Sequence, residues 1–114
     1  MSASEERIAR NEALFREFNE RVEDMAESFD LRGEGDSLQI GFVCECGNLD
    51  CLERLELTRG AYEDVRSDPT RFVVVPGHED MKIAHVVGRE EGYLVVEKID
   101  EAAEVAIEHD PRSG

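Results

Sequence analysis

Cys44, Cys46 and Cys51 are all the cysteines of the chain, and they fall inside one apparent turn, FVCECGNLDC, residues 42–51. Cys44 and Cys46 are separated by a single residue, poor spacing for a disulfide. An odd, clustered set of thiols points instead to metal or redox chemistry. For the first two cysteines to converge, the chain is expected to curl tightly, and Gly47 directly after Cys46 supplies the backbone freedom. Asn48, Leu49 and Asp50 then carry the turn round to Cys51, with backbone N–H groups turned inward toward the sulfurs.

Three thiolates call for a cation. Tetrahedral zinc with sulfur and nitrogen ligands is the expected occupant, and a closed site needs a fourth protein ligand. The chain has three histidines. His78 is the choice, because Val-Pro-Gly-His-Glu places it at a strand end where the backbone turns. His85 lies inside a predicted strand and His109 at the end of the last helix. A carboxylate or an open position is a further alternative for the fourth place. For the occupant itself the alternative is an iron–sulfur cluster. The Cys-x-Cys opening resembles that of the CDGSH iron–sulfur proteins, and departs from them where Cys51 is followed by Leu52-Glu53.

The elements that must position these residues are legible from periodicity. Ser2 to Glu5 has capping-box spacing. Beyond it Ile8, Phe15, Phe18, Val22, Met25 and Phe29 recur in a three-four alternation, with Asn11 filling the register, which predicts an amphipathic helix ending near Phe29. Its opposite face, with Arg10, Glu12, Arg16, Glu17, Glu20, Arg21, Glu23 and Asp24, reads as the solvated one. Arg32-Gly-Glu-Gly-Asp36 is a breaker. Leu38, Ile40 and Phe42 alternate into one strand, and Leu55 and Leu57 into a second, so the cysteine turn connects a hairpin. Thr58 is placed as the cap of a short helix to about Ser67. Phe72 to Val75 reads as a strand buried on both faces. Ile83–Val87 and Tyr93–Val96 are two more strands around a Gly88–Gly92 turn. Asp100 caps a last helix to about Glu108, with Ala103, Val105, Ala106 and Ile107 toward its inner side.

The resulting fold class is α+β: a small antiparallel or mixed sheet of four to five short strands, a zinc-knuckle-like hairpin, an N-terminal amphipathic helix and short helices. The expected division is an amphipathic helix over 1–31, a Gly/charged linker over 32–37, a metal-stapled α+β domain over 38–110 and a tail over 111–114.

At 114 residues, with 40% hydrophobic and 6% aromatic residues and no tryptophan, the core is thin and a bound metal would supplement it. No apolar run is long enough to span a membrane, and the charged, periodic start is not a secretory signal, so the cytoplasm is the expected location. A net charge of −15 repels phosphate backbones, which disfavours direct nucleic-acid binding and favours a protein partner with a basic surface.

The sequence resembles a group of small uncharacterised bacterial proteins, mostly actinobacterial, that carry a CxCGxxxC…PGHE pattern. The resemblance rests on Cys44-Glu-Cys-Gly-Asn-Leu-Asp-Cys51, on Leu57-Thr58 with Tyr62 and Val65-Arg66, on Arg71-Phe72-Val73-Val74 with Pro76-Gly77-His78-Glu79, and on Val95-Val96-Glu97-Lys98. It covers roughly residues 5–112. It implies that Cys44, Cys46, Cys51 and His78 form one constellation, and it brings no activity with it.

Three functional classes follow. A structural Cys3His zinc site in a protein-interaction or regulatory module is the leading one. Its interaction surface would be the helix face Ile8, Phe15, Phe18, Val22, Met25 and Phe29, docked on its own sheet or on another chain. A thiol-based redox or zinc sensor shares the same ligands. A metal-dependent enzyme is the least favoured: Glu79 beside His78 could act as a base, and Arg66 and Arg71 could grip an anion, but no nucleophile or phosphate-loop motif accompanies them.

Overall fold

A computed structural model of the chain describes residues 1–29, 37–51 and 53–112. The expected linker at 32–37 lies, apart from Ser37, outside the described residues. The order is α1 (Ala3–Ser28), β1 (Gln39–Val43), β2 (Arg54–Thr58), α2 (Arg59–Arg66), β3 (Arg71–Val74), β4 (Ala84–Glu90), β5 (Tyr93–Lys98) and α3 (Asp100–Glu108). The strands divide between two antiparallel sheets, a β1–β2 hairpin and a three-stranded sheet ordered β3-β5-β4. The architecture is mixed α+β, with the cysteine turn at the end of the hairpin. Among the described residues no helix is long and apolar enough to cross a membrane.

Local signals place the elements well. The capping box forms: the Glu5 amide donates to Ser2 Oγ at 3.1 Å, and the Ser2 amide to Glu5 Oε1 at 2.9 Å. Thr58 caps α2 by accepting from the Ala61 amide at 3.1 Å. In the hairpin Ile40 pairs with Leu57 and Phe42 with Leu55, all four buried on one face, as period-two alternation requires. Phe72, Val73 and Val74 are all buried, so β3 is covered on both sides. β4 runs on to Glu90 with a bulge between Val86 and Gly88, so the turn is tighter than the expected Gly88–Gly92. In α3 the cap position is Ile99, not Asp100, which takes a positive φ of 51° and makes no side-chain cap. Its buried residues are Ala102 and Ala106, while Ile107 faces solvent.

The largest difference concerns which way α1 faces. Its buried residues are Ala9, Glu12, Ala13, Arg16, Asn19 and Glu23, so three positions read as solvated, Glu12, Arg16 and Glu23, line the inner side together with Asn19. Of the expected apolar stripe, Ile8, Phe15 and Val22 are only half-buried, and Phe18, Met25 and Phe29 are 51%, 63% and 73% exposed.

The inversion has a physical reason: each buried polar group meets a matched partner. Arg16 donates to the carbonyls of Pro69 at 2.6 Å and Ala106 at 2.7 Å, and its guanidinium lies 4.6 Å from the centre of the Phe72 ring. Glu12 pairs with Lys98, whose ammonium also lies over Phe72. Ala9 and Ala13 between them let the helix approach closely. Arg66 on α2 bonds Glu20 of α1 and Asp110, and Arg112 reaches Glu20, Glu23 and Glu63. The start of the expected tail is therefore held against α1 and α2.

Candidate metal centre

The cysteine turn is built in three steps. Beyond β1 the Cys44 amide donates to the Glu53 carbonyl at 3.1 Å and the Glu45 amide to the Val73 carbonyl at 2.9 Å, so this segment is held between the hairpin and β3. The side chain of Glu45 is fully buried. The chain bends at Cys46 and Gly47, and Gly47 has a φ of +79°. A Cβ there would also stand 2.7 Å from the Ile8 carbonyl oxygen and 2.8 Å from Glu12 Cγ, so only glycine lets the turn meet α1. Asn11 ties this contact by donating to the Gly47 carbonyl at 3.1 Å. Asn48 then folds the chain back: its side-chain oxygen accepts from the Asp50 amide, and its carbonyl from the Cys51 amide at 3.0 Å.

His78 arrives by a separate turn. The His78 amide donates to the Val75 carbonyl at 2.9 Å, with Pro76 and Gly77 between them and Gly77 at φ +95°, the type II arrangement. Glu79 accepts from the Gly77 amide at 2.7 Å, so its carboxylate closes the turn.

These two turns bring Cys44, Cys46, Cys51 and His78 together, with their ligand atoms all within 4.8 Å of one another. His78 Nδ1 lies 3.6 Å from both Cys44 Sγ and Cys51 Sγ. In a tetrahedron with bonds of about 2.3 Å to sulfur and about 2.0 Å to nitrogen, sulfur and nitrogen stand about 3.5 Å apart, close to the spacing seen. The spacing therefore suits one small ion. The three cysteines are free thiols, two of them buried. His85 and His109, both exposed, are not part of the group.

The surroundings favour anionic sulfur. The Val75 amide donates to Cys44 Sγ at 3.2 Å, the Asn48 amide to Cys46 and the Glu53 amide to Cys51. The hydrogen bond from Cys44 holds Cys46 down to about 4, and the same bond with burial pushes Cys44 far up. Burial raises Cys51 as well. On the outer side of the ring, His78 Nε2 lies 2.9 Å from Glu53 Oε2. That carboxylate fixes the tautomer that leaves the Nδ1 lone pair facing the sulfurs.

Three supporting residues were not legible in the sequence. Glu45, fully buried between two cysteines, accepts from Tyr62 Oη at 3.0 Å, Asn19 Nδ2 at 2.7 Å and the Val73 amide at 3.0 Å. Its own amide donates to the Val73 carbonyl at 2.9 Å, which joins the hairpin to the free edge of β3. Asn19 donates to the Val43 carbonyl and accepts from the Val43 amide, pairing with the strand as a peptide would. The third is Glu53. The one available signal was position: a carboxylate placed between two cysteines must go where they do not.

No protein-family model matches the chain, and no curated protein or solved structure matches it either.

Proposed function

We infer that the protein is a small zinc-binding module in which Cys44, Cys46, Cys51 and His78 hold one structural ion. The observation that carries this reading is the 3.6 Å spacing of His78 Nδ1 from two sulfurs. Soft thiolates with one imidazole select zinc over magnesium or calcium, and donor atoms this close converge on a single ion better than on a cluster. The ion staples two segments 27 or more residues apart in sequence, the hairpin turn and the loop after β3. Reduced thiols suit a reducing compartment, in keeping with the cytoplasm. The role that fits is a regulatory or interaction module, with the metal securing a surface rather than performing chemistry. A thiol sensor is the second reading, favoured by the partial exposure of Cys51.

The test is direct. Protein purified without chelator should be colourless and carry one zinc per chain by mass spectrometry. His78→Ala should lower both metal retention and melting temperature. Zinc retained through mild peroxide supports the structural role, and ready loss supports the sensor. Fresh, reduced, folded protein without metal ends the reading.

A further inference from the structure

The centre forms one wall of a groove of about 430 Å3. Its other wall is α1. We propose that this groove, lined by Leu14, Phe15, Phe18, Val43, Cys44 and Cys51, is the docking site for a basic amphipathic helix of a partner protein. The proposal rests on the metal-centre reading for the wall and on independent observations for the occupant.

The first observation is the exposed face of α1. Leu14, Phe18 and Met25 are each more than half exposed, although the body of the protein had room for Arg16 and Asn19 with no exposure at all. Large side chains aligned along one helical ridge and left open mark a contact surface. Leu14 to Phe18 is one helical turn and Phe18 to Met25 two, so the ridge suits a second helix lying alongside.

Charge chooses between occupants. The chain carries 28 acidic and 13 basic side chains. Glu17 and Arg21, both in the groove lining, pair with each other at 3.3 Å and offset one another, while exposed Asp50 and Glu53 flank Cys51 in sequence and exposed Asp24 continues along α1, against exposed Arg54. A lysine- or arginine-flanked helix answers this field. A second copy does not: it would bring −15 against −15. Anionic lipid is repelled for the same reason.

Because Cys44 and Cys51 line the groove, the turn must be held in place for the site to exist. Zinc-loaded full-length protein should be titrated into a labelled synthetic helix carrying leucines at i, i+3, i+4 and i+7 and lysines elsewhere. A scrambled peptide of the same composition is the control for bulk charge, and anisotropy at about 0.15 M salt is the readout. The amphipathic peptide should bind at least about tenfold tighter than the scrambled one. Phe18→Asp and Leu14→Asp should each abolish that difference with zinc content and melting temperature unchanged. Equal binding of the two peptides, or full binding by both variants, overturns the proposal. Sedimentation as a dimer that Phe18→Asp dissolves overturns it in favour of a second copy. If chelation removes binding while circular dichroism stays native, the centre builds the groove. If the purified protein holds no metal yet the selective binding persists, the metal-centre reading fails and the occupant stands.

Discussion

Glu53 and Glu45 show how single carboxylates govern the centre from outside the donor set. The Glu53 carboxylate meets the far nitrogen of His78, and the side chain is 57% exposed, so its removal costs little packing and leaves the backbone bonds of Glu53 in place. Glu53→Ala should therefore weaken zinc binding by about 10–100-fold with the unfolding transition of zinc-saturated protein in place. Competition with a chromophoric chelator measures it, and an unchanged affinity would show that the ring is oriented without the carboxylate. Glu45 works from the buried side, where desolvation raises its pKa while three donors satisfy it. It ties the segment between Cys44 and Cys46 to Tyr62, Asn19 and Val73.

At the scale of elements, the helix caps, the hairpin, the double-sided burial of β3 and the Pro-Gly turn at His78 were all legible, because each is decided by neighbours in sequence. The grouping of Cys44, Cys46, Cys51 and His78 was legible for a related reason: thiols so concentrated have few other uses. The orientation of α1 was not. Hydrophobic periodicity assumes that the apolar stripe faces the core, and here the core offers Arg16 two carbonyls and an aromatic face, and offers Glu12 a lysine. Those partners lie more than fifty residues away in sequence, beyond any local pattern. Asn19 is the sharpest test of the observed docking. Asn19→Ala removes both bonds to Val43 and one to Glu45, leaving buried backbone groups unpaired, and should cost about 2–3 kcal/mol in urea unfolding. Phe29→Ala, at an exposed site, should change stability by less than about 0.5 kcal/mol. The reverse order of effects would mean that the apolar face is the one that packs.

For the whole molecule, the acidic groups buried between α1, α2 and the segment at Arg112 contribute to the dependence on pH, as does buried Glu12 beside Lys98. Burial, with Glu63 and Glu20 nearby, pushes Glu23 up to about 7 from 4.5, against the pull of Arg112 and Arg59. Between those values the folded protein keeps a proton that the unfolded chain has released, so this group makes stability fall as pH rises from 4.5 toward 7. Removing it with Glu23→Gln should flatten that decline, by up to about 3 kcal/mol across the window. Urea midpoints at several pH values test this, and parallel curves for the two proteins would refute it. The long reach of the helix contacts also bears on synthesis. α1 leaves the ribosome before the groups that answer it: the ammonium of Lys98, the carbonyl at Ala106 and the guanidinium of Arg112 lie 86 to 90 residues further along the chain than Glu12, Arg16 and Glu23, their partners on the helix. The nascent helix must wait, with these charges unanswered, until those segments have been made. That interval is when a chaperone has most to hold.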